Sequence, residues 1–83
     1  MAMTARIWVT LKSGVLDPQG KAIAGALDSL GFSGVEDVRQ GKYLEVKLDA
    51  PDEAQARQDV ERMCEELLAN TVIETYRFEL EQA

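Results

Sequence analysis

The 83-residue chain has no histidine, a single cysteine, two prolines, and only one tryptophan, two tyrosines and two phenylalanines. Each shortage removes a class of chemistry. Without histidine, one chain cannot build a His-based nucleophile or metal site. One cysteine forms no internal disulfide and supplies no zinc site of the Cys-rich kind. Cationic side chains are also scarce, nine Lys and Arg against fifteen Asp and Glu, for a net charge of −6. Nucleic acid and anionic lipid both repel such a chain. Long apolar runs are missing too. The longest, Ala22 to Leu27, is interrupted by Gly25 and falls far short of the ~18 residues of a membrane span. Met1 to Arg6 has no apolar core of a secretory signal. A soluble, cytoplasmic protein without a membrane partner is expected. Gly14 and Gly20 lack the spacing of a phosphate-cradling loop.

What is present is an ordinary globular composition, 46% hydrophobic, and a length that fits one domain over residues 1–83. Below roughly 70–80 residues a lone core seldom supplies more than about 3–5 kcal/mol. A chain just above that limit, with no disulfide, gains most from self-association, so a homo-oligomer is expected. Charge is uneven. Residues 1–42 sum to +1 and residues 43–83 to −7. The acidic half reads as a solvated face or as a surface for a basic partner.

Hydrophobic periodicity divides the chain into six elements. Ile7, Val9 and Leu11 alternate with Arg6, Trp8, Thr10 and Lys12, which is a strand. Asp17-Pro18 opens a helix over about 18–30, with Asp17 as cap and Pro18 at the first helical position. Ile23, Ala26, Leu27 and Leu30 form its apolar stripe, and Gly31 closes it. Ser33 to Arg39 reads as a second strand with a bulge near Asp37, joined through Gln40-Gly41 to a third, Lys42 to Asp49, as a hairpin. Pro51-Asp52 opens a second helix, with Gln55 placed for a capping box. Its buried stripe is Ala56, Val60, Met63, Cys64 and Leu67, and Asn70 ends it. Val72 to Glu81 alternates again as a last strand.

The order β-α-β-β-α-β is that of an α+β ferredoxin-like plait: a four-stranded antiparallel sheet, order 4-1-3-2, with both helices on one face. The uncovered face then carries Trp8, Thr10, Tyr43, Lys47 and Arg77. A tryptophan there makes Trp8, Tyr43 and Arg77 candidates for a homo-oligomer interface; the alternative is a tryptophan half covered by neighbouring Arg and Lys stems. RNA-recognition modules share this order, but Glu45 stands where a base-stacking aromatic belongs. Ligand-sensing ACT-like domains share it as well and need few signature residues, so that reading stays as an alternative. No catalytic residue is evident. Cys64 lies on an apolar stripe among Glu61, Glu65 and Glu66, which disfavour a thiolate. Asp59, Glu65 and Glu66 read as solvated charges, and no metal site is expected.

The segment Gly14-Val15-Leu16-Asp17-Pro18-Gln19-Gly20-Lys21-Ala22 is richer in special residues than a helix start requires. With Ala26-Leu27, Leu30-Gly31, Val38-Arg39, Gly41-Lys42, Cys64, Leu67 to Asn70, Val72 to Glu74 and Tyr76, it resembles the small subunit family, PurS, of phosphoribosylformylglycinamidine synthase. The resemblance spans about residues 6–79. Thr71 departs from it, since the family usually has proline after the asparagine. The resemblance implies a non-catalytic dimeric subunit. It would bridge a glutaminase (PurQ) and an ATP-dependent synthetase (PurL), in the step that converts formylglycinamide ribonucleotide to formylglycinamidine ribonucleotide. It implies no cofactor on this chain, with ATP and Mg²⁺ on the synthetase. Asp17, Pro18, Gln19, Gly20 and Lys21 are then expected to shape one partner-docking corner, and Arg39, Gly41 and Lys42 a second patch on the hairpin.

Overall fold

The computed structural model describes residues 1–82. Strand β1 (Ala2–Leu11) is followed by helix α1 (Pro18–Ser29), strand β2 (Gly41–Asp49), helix α2 (Glu53–Met63), a π-helical turn over Cys64–Leu68 and strand β3 (Glu74–Gln82). The three strands form one antiparallel sheet in the order β2-β1-β3. β1 starts at Ala2, four residues before the expected start at Arg6, because Met3 and Ala5 keep the alternation and are buried with Ile7 and Val9.

The expected fourth strand is absent: residues 33–40 carry no regular strand structure. The sheet is therefore three-stranded, and the predicted order 4-1-3-2 loses its outermost member while keeping the other three in sequence. The hairpin through Gln40-Gly41 does not form either. Two physical reasons are visible. Val35 and Val38 do not alternate, so the segment has no single apolar face to bury. Asp37 also turns its carboxylate onto the amide of Val38 at 2.9 Å, a local bond that competes with a ladder.

The core lies between β1 and α2. Met3, Ala5, Ile7 and Val9 meet Ala56, Val60 and Cys64, flanked by the half-buried rows Leu44, Val46, Leu48 and Tyr76, Phe78, Leu80. Each fully buried aliphatic side chain here contributes about 1.5–3 kcal/mol. Arg57 on α2 sits 5.6 Å over the ring of Phe78, tying helix to sheet. The Asp52 cap accepts from the amide of Gln55 at 2.8 Å, but the Gln55 side chain donates forward to Asp59 instead of back to the cap, so the box is not reciprocal. At the far end Ala69 donates to the carbonyl of Cys64, five residues back, at 3.0 Å. This wider turn keeps residues four apart in line, so Leu68 and Ala69 turn inward and Leu67, expected on the buried stripe, is 82% exposed. Asn70 ends the segment in a turn that needs no proline at position 71. Its carbonyl accepts from Ile73 and Glu74, its side chain accepts from Val72, and its amide donates to Glu74.

Helix α1 forms as its sequence dictates and then fails to pack. Asp17 caps it, Pro18 starts it, and Gly31 at φ +97° ends it. Gly31 donates to Asp28 and Phe32 to Leu27, the paired bonds of a Schellman motif. Yet only Gly20 in this helix is buried, and no side chain of α1 belongs to the hydrophobic core between sheet and α2. Its stripe points outward, with Ile23 at 40%, Leu30 at 73% and Phe32 at 57% exposure. The expectation that both helices cover one sheet face therefore holds for α2 alone. The molecule is long, 51 × 27 × 14 Å, with a Cα radius of gyration of 16.4 Å. A compact chain of this length would have a radius of about 12 Å.

Candidate functional site

The candidate residues gather at the foot of α1, where the strands end. Asp17 is only 5% exposed. One carboxylate oxygen accepts from the amide of Gly20 at 2.9 Å, and the other accepts from the amide of Gln40 at 2.6 Å. These amides, Gln40 first, hold its carboxyl below the usual aspartate range, with a further contribution from the Arg39 charge. A carboxylate placed to cap a helix is thus also a latch between two segments 23 residues apart in sequence. Arg39 closes the same corner from outside, donating to the carbonyl of Lys12 at 2.9 Å.

The two expected patches are therefore one. Pro18, Gln19 and Lys21 are exposed on the first turn of α1, and Arg39, Gly41 and Lys42 are exposed beside them on the incoming chain. Between them lies an open cleft of about 290 Å³, lined among others by Asp17, Gln19, Gln40, Lys42 and Glu74. Gly20 and Gly41 are required by close approach. A Cβ on Gly20 would stand 2.1 Å from the carbonyl oxygen of Val38, and one on Gly41 would stand 2.4 Å from that of Val9. Lys21, Arg39 and Lys42 bring three cationic side chains to this end of an otherwise acidic molecule. Gln40 and Glu74 were not among the sequence candidates. Gln40 acts through its backbone amide, which leaves no mark in the sequence.

On the opposite face of the sheet, Trp8, Tyr43 and Arg77 do come together. Trp8 faces Tyr43 on β2 and Arg77 on β3 in register. The Trp8 and Tyr43 rings are 5.3 Å apart at 44°, and the Arg77 guanidinium lies 4.0 Å from the Trp8 ring centre. This row is an aromatic platform capped by one cation. Arg6 pairs with Glu81 on the same face. Cys64 is buried, and burial followed by Glu65 and Glu61 pushes its thiol up, away from nucleophilic use. Among the described residues, no three carboxylate or thiol side chains converge as a metal cage would require, and no helix is long and apolar enough to cross a membrane.

A family model described as PurS, phosphoribosylformylglycinamidine (FGAM) synthase, matches residues 4–82. The PurS subunit of this synthase from Synechocystis is 57% identical over 75 residues, which cover 90% of this chain and 75% of that one. The solved structure of Bacillus subtilis PurS superposes with a TM-score of 0.86 at 48% identity, covering 96% of this chain and 99% of the other. A chain in the structure of PurLQS from Thermotoga maritima superposes with a TM-score of 0.89 at 31% identity, covering 98% and 99%.

Proposed function

This chain belongs to the PurS family and is a subunit of phosphoribosylformylglycinamidine synthase, an enzyme of purine biosynthesis; from that premise we propose that it holds a glutaminase and an ATP-dependent synthetase together and performs no bond-making itself. The observation carrying the proposal is the near end-to-end likeness to a chain of the Thermotoga maritima PurLQS structure. The corner at the foot of α1 supports it. A rigid, hydrogen-bonded junction presenting Pro18, Gln19, Lys21, Arg39 and Lys42 outward is a docking shape, and its one buried carboxylate is already occupied by two backbone amides.

The chemistry of the complex explains why a subunit without catalytic residues matters. Ammonia attacks only as the neutral base, and ammonia released into water is protonated and diluted. Docking the source beside the consumer raises its effective concentration and keeps water out of the route. In this reading the glutaminase releases ammonia, and the synthetase uses ATP and Mg²⁺ to activate the amide oxygen of formylglycinamide ribonucleotide. Ammonia then displaces phosphate from that activated carbon, giving formylglycinamidine ribonucleotide. This chain takes no cofactor, works in the cytoplasm, and associates with itself through the platform of Trp8, Tyr43 and Arg77.

Reconstitution tests the proposal. Synthetase and glutaminase are assayed with and without this chain, supplied with glutamine or with ammonium salt. Omission should abolish glutamine-dependent turnover while sparing ammonium-dependent turnover. Equal glutamine use without this chain would overturn the reading. Lys21→Glu or Arg39→Glu should weaken co-elution of the three proteins on gel filtration; unchanged co-elution and turnover would remove the corner from the docking surface.

A further inference from the structure

We propose that the outer face of α2 and of the π-helical turn after it is a second docking surface, separate from the corner at the foot of α1. Its occupant is a partner protein that offers an apolar socket to Leu67 and basic side chains to the carboxylates around it. The proposal rests on the bridging reading above and names the chemistry of one of the two partners.

The first observation is how Leu67 is displayed. Regular winding would turn it toward the core beside Val60 and Cys64. The wider turn, closed by the Ala69 amide on the Cys64 carbonyl at 3.0 Å, sends Leu68 and Ala69 inward and leaves Leu67 82% exposed. Val72, 80% exposed, stands just past the Asn70 turn. The Asn70 side chain accepts from its amide at 3.2 Å, and the Asn70 amide donates to the Glu74 carboxylate at 2.6 Å. A hydrogen-bonded frame thus holds two large apolar side chains out to water. Single turns of π winding recur at functional positions in helices, and an exposed apolar patch with a polar rim marks a protein contact.

The second observation is the rim. A shallow groove of about 740 Å³ lies between α2 and β3, lined by Gln58, Glu61, Arg62, Glu65, Glu66 and Tyr76. Arg62 is engaged by Glu66 at 3.3 Å. Among the described residues, neither Glu61 nor Glu65 has a cationic partner. Burial first, then Glu65 and Glu61, hold the Tyr76 phenol in its protonated form. The groove therefore offers two free carboxylates beside a neutral phenol, a fit for an incoming guanidinium or ammonium.

Charge selects the occupant. Residues 53–68 carry five acids against two arginines. A second copy laid face to face would bring the same acids together, and nucleic acid or anionic lipid would be repelled. A second copy docking its cationic corner here would generate an open chain of molecules instead of a closed assembly. A basic partner protein meets neither obstacle. The corner at the foot of α1 has the opposite chemistry, with Lys21, Arg39 and Lys42 exposed. A bridge needs two faces that its partners do not confuse, and opposite charge supplies that discrimination.

Pairwise binding of the full chain to the synthetase alone and to the glutaminase alone tests this. Leu67→Ser should raise the dissociation constant for one of them by about 10-fold or more and leave the other unchanged. The double variant Glu61→Gln with Glu65→Gln should weaken the same partner and flatten its loss of affinity between ~50 and ~300 mM salt. These side chains are exposed in the single chain, so far-ultraviolet circular dichroism should match the parent. Lys21→Glu should act on the other partner. The inference is overturned if both α2-face variants bind like the parent, if the affected partner's affinity ignores salt, or if Lys21→Glu and Leu67→Ser weaken the same partner only. A parent chain that binds neither larger protein, singly or in mixture, would overturn the bridging reading itself and this surface with it.

Discussion

Gly20→Ala gives a sharp test of the corner, because two physical effects there have opposite signs. Glycine inside an exposed helix costs about 1 kcal/mol relative to alanine. On propensity alone the substitution should stabilise the protein. The structure reverses that sign. The new Cβ would lie 2.1 Å from the Val38 carbonyl oxygen and 2.9 Å from the Asp17 carboxylate. Reaching ordinary contact requires the 38–40 segment to retreat by about 1.3 Å, since close packing tolerates no such overlap. That movement draws the amide of Gln40 off Asp17, where it now sits at 2.6 Å. Overpacking of this kind costs about 1–3 kcal/mol, so the net effect is a loss of up to about 2 kcal/mol once the ~1 kcal/mol propensity gain is set against it. Gly25→Ala is the internal control, since a Cβ there meets nothing within 4 Å, and it should gain about 0.5–1 kcal/mol. In urea unfolding, with a slope near ~1 kcal/mol per molar for a chain this small, the Gly20→Ala midpoint should fall by up to about 2 M and the Gly25→Ala midpoint should rise by about 0.5–1 M. The Gly20→Ala subunit should also co-elute less with its partners, while Gly25→Ala should not. A midpoint that rises equally in both variants would refute the claim that Gly20 is fixed by close approach.

Three further outcomes follow from buried and latched groups. The Tyr76 phenol is pushed up to about 12 by burial and then by the Glu65 carboxylate. The unfolded chain loses this proton near pH 10, so stability should decline between pH ~10 and ~12; unfolding midpoints of the parent and Tyr76→Phe measured across that range should converge, and parallel curves would contradict the burial. Asp17 has a depressed carboxyl pKa, so its stabilisation is present above the unfolded value of ~3.9 and is lost as pH falls through the folded one. Asp17→Asn should flatten the acid limb of the stability curve, and an unaltered acid limb would count against the latch. Cys64 is fully buried with a raised thiol pKa, so a disulfide reagent should label it only as fast as the core opens; immediate labelling of the folded protein would show the core to be misplaced.

Local chemistry was legible where one element decided it. The alternation of β1, the Asp17-Pro18 start, the Gly31 stop and the Asp52 cap all hold, because each depends on neighbours within a turn or two. The Trp8, Tyr43 and Arg77 row was legible through alternation and antiparallel order together. Three readings failed for identifiable reasons. Val35 and Val38 made Ser33 to Arg39 look like a strand, although their spacing gives it no single face. Leu67 and Leu68 cannot be told apart by a helical wheel, because the choice depends on a turn wider than α. Most instructive is α1: its stripe shows that an apolar surface must be covered, yet periodicity says nothing about whether the cover belongs to the same molecule. The merging of two candidate patches was invisible as well, since an aspartate side chain meeting a backbone amide 23 positions away leaves no pattern to find.

The π-helical turn after α2 carries a lesson about tolerance to change in chain length. Residues 64–68 hold one more residue per hydrogen-bonded loop than a regular helix would. Removing one of them would let the segment tighten into ordinary helical winding without shortening any strand, and the slack would be drawn from the loop that leads into β3. The junction thus works as a spacer in which small deletions are absorbed locally. The tight foot of α1, held by Gly20 and Gly41 against neighbouring carbonyls, has no such reserve.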